Sequence, residues 1–284
     1  MTNFGFVTCV QLGLSCIEAI YDVGGRLELL VTLPDNRAVN KSGRIYLDDL
    51  ARKHDVPLVK VGHVNDPEAR AAIEAADLDW LFIIGWSQIA GNEVLEIPRK
   101  GVIGMHPTLL PEGRGRAAIP WAILKGLGQT GVTMFKMDAG VDTGPIISQR
   151  VVPLHDRIDA AELYAAIDRA QVELMKQAFP LLAAGTVELQ VQDEELATEW
   201  PGRKPEDGRI DLASSVHEAE RLVRAVTAPY PGAFFDDAEG RVIVWQARIL
   251  PDGEPGELPT IAFSDGKLEL LRWERVFEPD GAGQ

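Results

Sequence analysis

"GVIGMHPTLLPEGRGRAAIPW", residues 101–121, joins an apolar run, a histidine, a proline turn and two arginines. The run 101–106 reads as a strand buried on both faces, because it shows no polar alternation. It stops at His106-Pro107, and a strand that stops at a His-Pro turn reaches a surface. If that surface is a crevice, His106 stands where chemistry is done. Upstream, "FGFVTCV" (4–10), "RLELLVTL" (26–33), "PLVKV" (57–61) and "LDWLFIIG" (78–85) are further strand candidates. Between them "LSCIEAIYDV", "IYLDDLARKH" and "DPEARAAIEAA" space apolar residues as helices do. Strand and helix in alternation predict an α/β fold, a Rossmann-like, mostly parallel sheet with helices on both faces.

Downstream, Pro120 opens a helix over "WAILKG", "GVTMFKMD" and "GPIISQRVVPL" add two strands, and the 159–185 segment is one long amphipathic helix. This predicts a first domain over 1–190. "QDEELATEWPGRKPEDGRID" is polar and rich in turn formers, so 191–210 reads as a connector. A small C-terminal domain over 211–284 follows, with a helix at "SVHEAERLVRAV" and a β unit in "GRVIVWQARIL" and "PTIAFSDGKLELLRW", turning at "SDGK".

Composition narrows the function. The chain has 284 residues and a formal net charge of −15, which works against a phosphate backbone as partner and disfavours nucleic acid. Cys9 and Cys16 make neither a CxxC pair nor a metal set, so a reduced, cytoplasmic protein without disulfide or metal is expected. No apolar stretch is long enough to span a bilayer. "TCVQLGLS" after the first strand fits neither GxGxxG nor GxxxxGK[ST], which argues against a dinucleotide or P-loop nucleotide there. Ligands of open parallel sheets bind beyond the carboxyl ends of the strands. A crevice at the ends of 78–85 and 101–106, floored by Gly85, Gln88 and His106, is therefore expected. "DAGVDTG" (138–144) brings Asp138 and Asp142 around Gly140, and a carboxylate near His106 would orient its ring for acid/base work. On spacing alone, a strand-end histidine with its hydrogen bonds satisfied, a capping Asp142 and solvated Arg114 and Arg116 explain the residues as well.

"GVIGMHPTLLPEGRGRAAIPWAILKG" and "TGVTMFKMDAGVDTGPIISQ" together resemble the signature of the folate-dependent formyltransferases, the superfamily acting on methionyl-tRNA, glycinamide ribonucleotide and nucleotide amino sugars. The resemblance extends through "VTLPD", "IIGWSQIAGNEVLEIP", "RKPEDGRID" and "RLVRAVTAPYPGAF", and so over nearly the whole chain, with a reduced OB-like barrel at its C-terminal end. It implies formyl transfer from N10-formyltetrahydrofolate to an amine. His106 matches the family's catalytic histidine and Asp142 the aspartate that favours its charged form. Gln88, Ile89, Ala90, Arg116 and the loop Asp138, Ala139, Gly140, Val141 and Asp142 match positions that hold the folate. Arg114 and Thr108 fall where an acceptor would bind. Gly104 is a departure, because the family has Asn there, donating to the oxyanion. Loss of one such donor costs about 2.7–4 kcal/mol, unless a backbone amide or a water admitted by the missing side chain replaces it.

The resemblance implies as acceptor a nucleotide-linked amino sugar, since "RGRA" resembles the sugar-modifying branch. Alternatives are a hydroxyornithine-type amine, methionyl-tRNA, hydrolysis of formyltetrahydrofolate, or a folate-binding protein without catalysis. A homodimer is an open alternative to a monomer.

Overall fold

The computed structural model describes residues 2–39, 43–251 and 253–276. The chain divides into two units. The first comprises the residues up to Gly115, Thr130–Pro153 and Ala166–Trp200, and the second Arg116–Gln129, Leu154–Ala165 and the residues from Pro201 on.

The first unit is built on a seven-stranded sheet. Its strands are β1 (Phe4–Val7), β2 (Leu29–Thr32), β3 (Leu58–Lys60), β4 (Trp80–Ile83), β5 (Gly101–His106), β7 (Gln129–Lys136) and β8 (Ile146–Pro153), in the order β3-β2-β1-β4-β5-β7-β8. The short β6 (Arg114–Gly115) lies outside this sheet. Pairings from β3 to β5 are parallel, and β5 pairs with β7 antiparallel. The sheet is therefore mixed, with the expected parallel part on one side. Its strand order reverses between β1 and β4, which is where such sheets open a crevice.

The helices are α1 (Gln11–Asp22), α2 (Asp48–His54), α3 (Pro67–Ala75) and α4 (Asn92–Leu95) in this unit, α5 (Ala118–Leu124) in the second, and α6 (Ala160–Ala184), which enters the first unit at Ala166. Successive residues of a strand point to opposite faces, so β4 packs two ways. Leu81 and Ile83 join Val7, Val31 and Val102 under Ala69 and Ile73 of α3. On the other face Phe82 stacks among Phe4, Phe6 and Phe179, the last contributed by α6. These apolar strands give helices something to cover on each side.

Residues 192–200 are not a free connector. β9 (Glu199–Trp200) pairs with β6 in parallel, Arg114 beside Glu199 and Gly115 beside Trp200. The chain leaves the first unit only after Trp200.

In the second unit, β10 (Ala233–Asp237), β11 (Gly240–Leu250), β12 (Thr260–Phe263) and β13 (Gly266–Val276) form an antiparallel sheet in the order β10-β11-β13-β12. The "SDGK" turn joins β12 to β13 as expected, with Phe263 opposite Gly266. Helix α7 (Val216–Val226) starts at a capping box made by Ser215 and Glu218. Strand β10 carries little strand signal in the sequence, because its outer half, Asp236-Asp237, is acidic and exposed.

Among the described residues, no helix is long and apolar enough to cross a membrane. Both cysteines are buried and unbridged.

Phe82 is fully buried. Phe82→Ala is expected to cost about 3–5 kcal/mol in urea denaturation, and a loss below about 1 kcal/mol would show that the aromatic stack does not hold the sheet to α6.

Candidate functional site

β5 is a central strand, and its last residue, His106, is 7% exposed. Its Nε2 lies 2.8 Å from the Gly113 carbonyl oxygen. A carbonyl only accepts, so Nε2 carries a proton. Nδ1 lies 3.4 Å from Asp142 Oδ2, a separation of an ion pair rather than a tight hydrogen bond. The same Oδ2 accepts a hydrogen bond from the Gly115 amide at 2.9 Å. The carboxylate is thereby aimed from two sides, and its side chain keeps 18% exposure.

The loop that carries Asp142 is shaped by its own residues. Asp138 Oδ1 accepts from the Gly140 amide at 3.0 Å and from Thr143 Oγ1 at 2.6 Å. A Cβ on Gly144 would lie 1.8 Å from the Lys136 carbonyl oxygen, so only glycine lets the loop return to β7 so closely. Asp142 itself has φ of 57°, a conformation that Asp tolerates better than most residues.

The loop after His106 is held by the stretch expected to be a connector. The Gly113 amide donates to Thr198 Oγ1 at 2.9 Å, and the Arg114 amide to the Thr198 carbonyl at 2.9 Å. Gly113 has φ of 71°, and a Cβ there would meet the Trp200 indole at 2.9 Å. Gln192, buried, donates from Nε2 to the carbonyls of Asp142 and Gly144 at 2.8 and 2.7 Å. Its Oε1 accepts from Arg114 Nε and Nη2. Arg114 then pairs with both oxygens of Glu194 at 2.9 and 2.6 Å. Glu194 holds the Arg114 pKa above its ordinary value against the effect of burial.

Several expected site residues are placed differently from expectation. Arg114, expected to reach an anionic acceptor, is buried and spends four N–H bonds on Gln192 and Glu194. Thr108, also expected at the acceptor, is 2% exposed, and its Oγ1 has no partner among the described residues. Gln88 does not floor a crevice with a free amide. It accepts from the Val64 amide and Trp86 Nε1 and donates to the Gly62 carbonyl, tying two loops together. Ala90 belongs to the core, whereas Ile89 is 78% and Val141 58% exposed. Ala139 and Gly140 are exposed. Arg116 is exposed and belongs to the second unit.

Gly104 faces the same side of β5 as His106 and stands opposite Phe135 of β7, as His106 stands opposite Thr133. A Cβ there would meet Phe135 and Met137 at 3.2 Å. The space vacated by an Asn is thus filled by apolar side chains. The close packing at Gly104 is against the protein itself.

The arrangement offers a proton-carrying imidazole with a fixed carboxylate beside Nδ1, and exposed apolar side chains at Ile89 and Val141. Among the described residues no group of three His, Cys, Asp or Glu side chains could hold a metal ion.

A family model described as "Formyl transferase" matches residues 40–179, and one described as "Formyl transferase, C-terminal domain" matches 203–271. The chain is similar in structure to methionyl-tRNA formyltransferase from Clostridium thermocellum, with 18% identity and a TM-score of 0.65 over 98% of this chain and 100% of that one. It is similar to an N-formyltransferase from Helicobacter canadensis in complex with folinic acid and dTDP-3-aminofucose, with 16% identity and a TM-score of 0.68 over 95% and 99%. HypX from Aquifex aeolicus in complex with tetrahydrofolic acid matches at 19% identity and a TM-score of 0.68 over 96% of this chain and 44% of that one.

Gln192→Leu strands the Arg114 Nε and two loop carbonyls. It is expected to cost about 1–3 kcal/mol in urea denaturation and to speed hydrogen exchange at the Gly115 amide. Glu194→Gln removes the carboxylate paired with the buried Arg114 but keeps an accepting oxygen on its fork, and is expected to leave exchange at the Gly115 amide slow. Equally fast exchange at that amide in the two variants would contradict Gln192 as the organising residue.

Proposed function

Because the chain belongs to the formyl transferase family, we propose that it is an N-formyltransferase moving a formyl group from N10-formyltetrahydrofolate to the amine of a nucleotide-linked amino sugar. The observation that carries this reading is His106 Nδ1 at 3.4 Å from an Asp142 carboxylate whose direction is set by the Gly115 amide. A folate is favoured as donor because two of the similar proteins are described with folinic acid and tetrahydrofolic acid. The exposed Ile89 and Val141 side chains suit a flat pteridine, and the backbone of 88–90 and 138–142 would hold its polar edge. Gln88 and Asp138 would serve by shaping those loops, since their side chains are engaged within the protein. The bound donor supplies an activated formyl carbon.

In the neutral ring, Nε2–H donates to Gly113 and the Nδ1 lone pair is open to a proton. The attacking amine must lose one as it adds. His106 takes it at Nδ1, Asp142 balances the charge, and the imidazolium returns the proton to the leaving nitrogen. The buried surroundings of His106 and its fixed partners mean that little reorganises when the charge moves. Gly104 leaves the negative oxygen without the side-chain donor of the family, a deficit of about 2.7–4 kcal/mol.

The acceptor reading rests on charge and likeness. A net charge of −15 disfavours tRNA, and one similar protein is described with a dTDP-linked amino sugar. A second reading is hydrolysis of formyltetrahydrofolate, because Gly104 stands where some related hydrolase domains also lack the Asn.

His106→Ala and Asp142→Ala are each expected to lower turnover by orders of magnitude while leaving folate affinity within about a few-fold. The double variant is expected to be scarcely worse than the weaker single one. Near-normal turnover in either single variant would remove that residue from the mechanism.

With the intact chain, release of tetrahydrofolate is expected to require an amine, and a nucleoside-diphosphate amino sugar to be formylated far more efficiently than the free sugar. Mass spectrometry of the acceptor checks this. Equal donor consumption without amine, with formate as product, would establish the hydrolase instead.

A further inference from the structure

In the first unit, polar groups tie α6 to α1 at two places. Near the start of α1, Ser15 Oγ donates to Asp168 Oδ2 at 3.1 Å and accepts from Gln11 Nε2 at 3.2 Å. At its end, Asp22 Oδ2 pairs with Lys176 Nζ at 2.7 Å. The second tie is completed by an ammonium, and the first is left incomplete. Asp168 Oδ1 is buried and has no hydrogen-bond partner among the described residues. Cys16, beside Ser15, directs its thiol to Gln171 Oε1 at 3.9 Å, and both side chains are buried.

An ionised carboxylate calls for donors on both oxygens. Ser15 serves one oxygen of Asp168 and the other is bare, a setting that costs a charged carboxylate more than a neutral carboxyl. Burial accordingly raises the Asp168 pKa above the ordinary value, against the smaller opposing effects of the Ser15 hydrogen bond and Arg169. Helix α1 brings no compensating cation, since QLGLSCIEAIYD contains no Lys, Arg or His. Its Glu18 is exposed and its Asp22 is taken by Lys176. The Cys16 thiol is kept protonated by burial and, to a lesser degree, by Asp168 itself.

We infer that Gln11, Ser15 and Asp168 form a proton-operated latch between α1 and α6, closed when Asp168 carries a proton on Oδ1 and loosened when it is ionised. The closed form keeps Oδ2 as the acceptor for Ser15 and removes the charge from the bare oxygen. In the ionised form Oδ1 finds donors only in water, and water reaches it when the first turns of α1 draw away from α6. Asp22 and Lys176 hold the far end, so the opening is local. Helix α1 follows β1, whose carboxyl end lies where the strand order reverses, and the latch thus sets the mobility of one border of the expected crevice. The inference uses none of the candidate catalytic residues and stands apart from the formyl-transfer reading.

The test compares the intact chain with Asp168→Asn, which fixes a neutral side chain of the same shape, across a pH series. In urea denaturation the intact chain is expected to lose stability relative to Asp168→Asn as pH rises from about 4 toward about 8, because the native carboxyl keeps its proton where the unfolded one has lost it. All other carboxylates titrate in both proteins and cancel. Alkylation of Cys16, read by mass spectrometry separately from Cys9, is expected to rise over the same range to about ten-fold or more above that in Asp168→Asn. Ionised Asp168 by itself would slow that reaction by raising the thiol pKa, so a rise reports opening. Ser15→Ala removes the hydrogen bond that favours the ionised form and is expected to move both changes to higher pH. It also decides the matter if Asp168→Asn fails to fold. A stability difference that does not vary with pH, Cys16 labelling no faster than in Asp168→Asn, or changes unmoved by Ser15→Ala would overturn the proposal.

Discussion

Three segments of chain meet at the Asp142 carboxylate. Its Oδ2 faces the His106 ring at the end of β5 and accepts the Gly115 amide from β6, while its backbone sits in the loop that follows β7. No one of these segments fixes the geometry. Asp142 adopts a left-handed backbone, which only the surrounding contacts can enforce. Those contacts come chiefly from Gln192, which grips the Asp142 and Gly144 carbonyls with its amide nitrogen and Arg114 with its amide oxygen. A charge that appears on His106 during a reaction therefore meets a carboxylate already in position, and preorganisation of this kind is what makes electrostatic stabilisation effective inside a protein.

The same network explains why polar groups are tolerated so deep in the first unit. Arg114 is almost completely buried, but its fork is met by Gln192 on one side and both oxygens of Glu194 on the other. Burial of a charge without such partners would cost several kcal/mol. The loop of residues 107–115 is thereby fastened to residues 192–200 by β6–β9 pairing, by Thr198 and by the Arg114 cluster. Gly113, which presents its carbonyl to His106 Nε2, lies inside that fastening.

Much of this was legible in the chain itself. The apolar strands announced the sheet, because a run such as Leu81–Ile84 without alternation can only be covered on both faces. The histidine at the end of "GVIGMH" and the loop "DAGVDTG" marked the two halves of the site. What escaped were long-range effects that carry no local signal. The resemblance puts Arg114 where an acceptor would bind, and only the fold shows that Glu194, eighty residues on in sequence, is its partner. Residues 192–200 are polar and rich in turn formers, and they read as a linker because two-residue strands have no period to detect. Gln88 resembled a ligand residue, but its amide closes a turn against Gly62 and Val64. Gly104 looked like a vacancy, and the fold fills it with Phe135 and Met137.

The central claim is that the ring of His106 is locked by Gly113 and Asp142 in one orientation, with its open nitrogen beside the carboxylate. Nitrogen-15 NMR of ring-labelled protein reads this directly, since protonated and unprotonated imidazole nitrogens differ widely in shift. A proton is predicted on Nε2 of neutral His106 in the intact chain and in Asp142→Asn alike, with Nδ1 responding to the substitution. A neutral ring carrying its proton on Nδ1, with Nε2 bare, would contradict the account.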